Sequence, residues 1–120
     1  MHNFRELQVW KKARILTKEV YLISTDFPDD EKFGLTSQVR RSMISISSNI
    51  AEGSSRNSSK DFVRFLRIAL GSAFELETQL LLSIDLGFTN ETKIDPVNER
   101  IQEIQKMLIG LERKLVNEKS

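Results

Sequence analysis

The sequence predicts an all-α protein, an antiparallel up-down-up-down four-helix bundle that takes residues 1–120 as one domain. Three observations predict it. Apolar residues recur at helical spacing through nearly the whole chain. No stretch shows the period-two alternation of a half-buried strand. The two prolines, Pro28 and Pro96, fall between the periodic segments, and loops of roughly ten residues or fewer make consecutive helices antiparallel neighbours.

The first helix is expected from about Phe4 to Ile23, with Val9, Trp10, Ala13, Leu16, Val20 and Ile23 in its apolar band. Leu7, Ile15 and Leu22 lie outside that band, which suggests a second neighbour. "STDFPDDEKFG" breaks the helix through Asp26, Pro28 and Gly34. The second helix spans about Leu35 to Glu52 on the stripe Leu35, Val39, Met43, Ile46 and Ile50, and Gly53 is expected just past its end in the left-handed conformation. Ser58 with Asp61 reads as a capping box for a third helix that runs to about Leu86 and is ended by Gly87. Its seam is Phe62, Leu66, Ala69, Ala73, Leu76 and Leu80, and Phe65, Leu70, Phe74 and Leu81 form a second apolar face. Asp95-Pro96 is expected to cap and open the fourth helix, where Val97, Ile101, Ile104, Leu108, Leu111 and Leu115 alternate steps of three and four.

Composition narrows the chemistry. There is no cysteine, so disulfides and thiolate metal sites are excluded and a reducing cytoplasm is expected. His2 is the single histidine, which leaves no general base to activate a serine. Carboxylates are scattered, no Glu-x-x-His motif is present, and Glu75 and Glu77 fall on different helix faces. No enzyme, cofactor or metal is expected. No apolar run reaches membrane-spanning length, and the N-terminus lacks the apolar core of a signal peptide, so no membrane partner is expected either.

The net charge of +1 conceals a pattern. Residues 1–34 are neutral, residues 35–67 carry +4, residues 68–98 carry −4, and the rest carry +1. In the basic stretch, Lys60, Arg64 and Arg67 form one stripe near the start of the third helix, with Arg56 in the loop before it. The positive end of that helix dipole and the hydroxyls of "GSSRNSS" would suit a phosphate, although the Gly-Lys-Ser/Thr element of a Walker loop is missing. Arg40, Arg41, Arg56, Lys60, Arg64 and Arg67 are therefore the candidate nucleic-acid contacts. Aromatic interleaving around them is poor, since Phe62 and Phe65 read as core. Solvation or pairing with nearby acids is the competing reading of these cations.

A second feature lies within "RRSMISISSNIAEGSSR". Arg41, Ser42, Ser45, Ser48, Asn49 and Glu52 share the face opposite the second helix's apolar stripe, with Ile44 nearby. Serine is a weaker helix former than the Glu, Lys or Gln usual on a solvated face. These seven residues are the candidate oligomer interface, the serines acting as small spacers for a closely packed helix. Gly71, with Ala69, Ser72 and Ala73, suggests the same close crossing on the third helix.

The motifs "FRELQVWKKA", "FPDDEKFGLTSQVRRS", "SISSNIAEGSSRNSSKDFVRFLRIALGSAFELETQL" and "LGF" carry a family likeness from about Phe4 to Phe88. The chain resembles the four-helix-bundle family of bacterial 23S rRNA intervening-sequence proteins. The resemblance implies an antiparallel bundle assembled as a ring-like homopentamer, without established enzymatic activity. It also implies kinship with the accessory variability proteins of diversity-generating retroelements, which work with a reverse transcriptase and nucleic acid through a basic surface. The family's usual two alanines and proline are replaced here by Ser42, Met43 and Ser47, so the second helix is expected to run straighter. The partners expected are other copies of the chain and RNA or another nucleic acid. The alternative is a protein-interaction module whose basic stripe docks an acidic protein, for example residues 68–98 of a neighbouring subunit.

Overall fold

Each apolar stripe becomes one buried helix face. The computed structural model describes residues 2–118 and contains α1 (Gln8–Ser24), α2 (Leu35–Ser54), α3 (Ser59–Asp85) and α4 (Glu91–Glu118), with short 3-10 turns at Phe4–Glu6 and Asp29–Glu31. There is no strand among the described residues. Contacts run in opposite order along each neighbouring pair. From α2 to α3, Ser42 meets Gln79, Ser45 meets Ser72 and Gly53 meets Phe62. From α1 to α4, Lys12 meets Glu103 and Glu19 meets Arg100. From α3 to α4, Arg67 meets Glu112 and Glu77 meets Gln102 and Gln105. Successive helices are thus antiparallel, α1 packs on both α2 and α4, and the result is a four-helix bundle of 48 × 23 × 20 Å.

The core is continuous. Ala13, Leu16 and Val20 of α1 meet Val39, Met43, Ile46 and Ile50 of α2, the whole seam of α3, and Ile94, Val97, Ile101, Ile104, Leu108 and Leu115 of α4. Each large aliphatic buried this way contributes about 1.5–3 kcal/mol before chain entropy is counted. Trp10, Leu35 and Leu111 are half-buried at the edge of this core. Of the second faces expected on α1 and α3, Phe65 is buried and Leu7 and Leu70 pack at the core edge, while Ile15, Leu22, Phe74 and Leu81 remain exposed.

Local signals resolve differently where packing intervenes. The first helix divides at Leu7, whose extended backbone separates the 3-10 turn from α1. Gly53 does not close α2 in a left-handed conformation, because α2 continues helically to Ser54. A Cβ at Gly53 would lie 2.7 Å from Phe65 Cβ and 3.0 Å from Phe62 Cδ1, so glycine is required there for the close approach of α3. Ser58 caps α3 as expected, its Oγ accepting the Asp61 N–H at 3.1 Å, and the Asp61 carboxylate turns to Arg64. Gly87 ends α3 with φ +78°; its N–H bonds the Ile84 carbonyl and the Phe88 N–H bonds that of Ser83, which is a Schellman closure.

The start of the fourth helix is corrected. α4 begins at Glu91, with Asn90 Oδ1 accepting the Lys93 N–H at 3.1 Å, and Pro96 lies inside the helix. Proline there removes the bond to the Thr92 carbonyl, which sits at the exposed start of α4. Burial of Ile94, ahead of the expected start, outweighs that loss. Gly71 is also corrected as an intrachain crossing point: it is exposed, with nothing within 4 Å of a built Cβ.

Two glycine substitutions should therefore act in opposite directions. Gly53→Ala should destabilise the fold by about 1–3 kcal/mol, since Phe65 Cβ is tied to backbone and cannot yield cheaply. Gly71→Ala should stabilise it by about 1 kcal/mol, the ordinary gain in an open helix interior. Urea unfolding at unchanged slope measures both.

Candidate nucleic-acid interface

The six candidate cations do not form one patch. Arg40 and Arg41 lie in the first third of α2, and about 20 Å of helix separates Arg41 from the far end of α2, where Arg56 sits. Arg40 is turned onto its own chain. Its guanidinium lies 4.7 Å from the Tyr21 ring centroid, its Nε donates to Ser24 Oγ at 2.8 Å, and Nη2 donates to the Tyr21 carbonyl at 3.3 Å. That places a cation at the negative end of α1, where the helix dipole favours it. Arg41 is exposed.

Arg56, Lys60, Arg64 and Arg67 do come together, at the end of the bundle where α3 begins. Lys60, Arg64 and Arg67 line a groove of ≈ 790 Å³ whose apolar floor includes Val63, Ile68 and Leu115. Arg56 and Arg64 lie over the Phe65 ring, at 4.7 and 4.5 Å from its centroid. The three arginines also hold carboxylates: Arg56 bonds Glu52 at 2.8 Å, Arg64 is 3.7 Å from Asp61, and Arg67 meets both oxygens of Glu112 at 3.0 and 3.4 Å. The hydrogen bond and the charge of Glu112 hold the Arg67 guanidinium above its ordinary pKa. Lys60 is exposed and has no ion pair among the described residues.

The serine face divides. Ser42 is buried, its Oγ 3.1 Å from both Glu75 Oε1 and Gln79 Oε1 of α3. Ser45 Oγ meets Ser72 Oγ at 2.8 Å, and Asn49 Nδ2 donates back to the Ser45 carbonyl and hydroxyl. The helix that these small residues admit is therefore the chain's own α3. Glu52 is engaged by Arg56, and Arg41, Ile44 and Ser48 stay exposed on the outer side of α2.

A further groove, of ≈ 460 Å³, lies between α1 and α2; Ile44 and Ser48 of the expected oligomer interface line it, and its other lining residues lie outside the candidate sites expected from the sequence. Phe4, Trp10 and Arg14 line it from the N-terminal side, and Ile44, Ser47 and Ser48 from α2. Arg14 lies 5.6 Å from the Trp10 ring centroid and Arg5 lies 5.1 Å from that of Phe4. The signal in the sequence is the i, i+4 pair Trp10–Arg14, obscured because Trp10 also belongs to the core edge. The described residues contain no group of three or more His, Cys, Asp or Glu able to hold a metal ion, and no described helix is long and apolar enough to cross a membrane.

Comparison with known proteins agrees with this architecture. The chain is similar to the crystal structure of a protein with unknown function from the S23 ribosomal protein family of Bacteroides thetaiotaomicron. The two are 30% identical with a TM-score of 0.80, covering 87% of this chain and 97% of the other. No curated protein matches the chain. The family model for 23S rRNA-intervening sequence proteins matches residues 5–110, and the chain belongs to that family.

Proposed function

We propose that this chain is a non-enzymatic, cytoplasmic homo-oligomeric bundle, a pentamer by family resemblance, that binds RNA or another nucleic acid through its basic surface. The observation that carries the reading is the convergence of Arg56, Lys60, Arg64 and Arg67 at the start of α3, three of them around one groove. Four cations along and just before the N-terminal turns of α3, with Lys60 in its first turn, form a phosphate-attracting surface, and exposed carboxylate pairs such as Arg64–Asp61 exchange for phosphates at little cost. The family's name, drawn from sequences intervening in 23S rRNA, points the same way.

One observation favours a second reading. Glu52, Asp61 and Glu112 already neutralise the three arginines, as expected if these hold the bundle or dock a neighbouring protein. The salt dependence of RNA binding separates the two. Phosphate contacts make log affinity fall linearly with log salt. Arg64→Ala with Arg67→Ala should flatten that slope by about 0.7 for each phosphate of a single strand that is no longer neutralised. If the double substitution instead lowers the mass seen by light scattering while helicity persists, the arginines belong to a protein interface.

A further inference from the structure

The outer face of α1 and α2 differs from the α3 end in one electrostatic respect: its cations are unopposed. Arg5, Lys11, Arg14 and Lys18 are exposed, and none is within ion-pair distance of a carboxylate among the described residues. The groove beside Trp10 adjoins two others, one toward Lys11 and Lys18 and one toward Lys32 and Arg41. Neighbouring grooves share lining residues, Ile44 on one side and Trp10 on the other, so the three form one strip along the bundle. No carboxylate lines any of them. A phosphate arriving at Arg56, Arg64 or Arg67 must displace an acid, whereas a phosphate arriving here displaces none.

Aromatic rings are interleaved with these cations. Arg5 lies against Phe4, Arg14 against Trp10, Arg40 against Tyr21 and Lys32 against Phe33, with cation-to-centroid distances of 5.1, 5.6, 4.7 and 5.6 Å. Phe33 is 89% exposed, so its ring packs against almost nothing in its own chain. Hydroxyls complete the lining: Ser48 is exposed, and Ser47 Oγ is enclosed without a hydrogen-bond partner among the described residues. Bases paired in a duplex cannot place their faces on such rings. Unpaired bases can, while the backbone follows the cations.

We propose that the α1/α2 face is a track for single-stranded nucleic acid, with Trp10 and Phe33 as stacking platforms and Arg5, Arg14, Lys18 and Arg41 on the phosphates. It rests on the nucleic-acid reading above and adds to it a second contact surface and the form of the partner. The track follows α1 from Trp10 to Tyr21, about 17 Å, enough for a strand of a few nucleotides.

Trp10 is the only tryptophan, so its fluorescence reports on this strip alone. A short oligouridylate should quench it on binding, and an RNA duplex of equal length should not. Phe33→Ala removes a ring that supports no packing and should weaken oligouridylate binding at least about fivefold. Arg14→Ala with Arg41→Ala should flatten the salt slope and leave helicity intact. Lys106→Ala with Arg113→Ala, exposed cations of α4 that line none of these grooves, should preserve the quenching. An oligothymidylate arm distinguishes the two sources of strand: equal quenching means that base and phosphate suffice, and preference for uridylate means that the ribose hydroxyl is read. Binding seen by anisotropy that neither quenches Trp10 nor responds to Phe33→Ala overturns the track and leaves the nucleic-acid reading standing. Absence of RNA binding overturns both. Loss of oligomer mass in the α1/α2 variants would identify the strip as a protein interface and overturn the track.

Discussion

The close approach of α2 and α3 sets the rest of the structure. At Gly53 the space for a side chain is already taken by Phe65 and Phe62, and farther along the helix Ser45 and Ser72 touch through their hydroxyls. Two helices this near cannot carry long side chains between them, and small polar ones buried there must be hydrogen-bonded or they cost stability. Ser42 with Glu75 and Gln79, and Asn49 with Ser45, meet that requirement. Register follows from it. A one-residue slip of α3 against α2 would bring Phe65 against a neighbour of Gly53 that carries a Cβ and leave the hydroxyls unpaired, so α2 can present only one outer strip, Arg41, Ile44 and Ser48.

Charge compensation follows the same geometry. The −4 of residues 68–98 does not face the +4 of residues 35–67 as a block. Glu75 and Glu77 instead accept hydrogen bonds from Ser42, Gln102 and Gln105, while the arginines of the α3 end take acids from α2, α3 and α4. α4 also draws off the cations and acids on its side of α1, through Lys12–Glu103, Glu19–Arg100 and Asp26–Lys93. The other flank of α1 is left uncompensated. A net charge of +1 is thus compatible with a strongly basic local field, because acids and bases are sorted by helix face.

The helices and the core were legible because both depend on periodicity, which survives without knowledge of the neighbours. Val39, Met43, Ile46 and Ile50 lie where their spacing puts them, each fully buried. Backbone punctuation was less legible. Gly53 and Gly71 look alike in sequence, yet one is locked against Phe65 and the other faces open space. Pro96 resembles a helix start because proline favours the first turn, but Ile94 found a place in the core and pulled the start back to Asn90. Ser42 and Ser45 meet α3 while Ser48 stays exposed, and only tertiary packing could show that the helix they admit is α3 of the same chain. The stripe of Lys60, Arg64 and Arg67 was visible from spacing, as was Asp61 three residues before Arg64, but the Glu112 that holds Arg67, and the isolation of Arg14 beside Trp10, depend on three-dimensional neighbours.

α1 and α3 stand diagonally in the bundle, so the strip on α1/α2 and the groove between α3 and α4 face away from each other across a cross-section of 23 × 20 Å. They share no lining residue. At that separation the two surfaces are electrostatically independent, since each is screened from the other by more than a Debye length of about 8 Å at physiological salt. A straight strand on one protomer cannot occupy both. Contact with the two surfaces together requires either a strand that turns around the end of the bundle near Phe4 and Arg56, or protomers set side by side, so the geometry of assembly decides whether the two basic surfaces act as one.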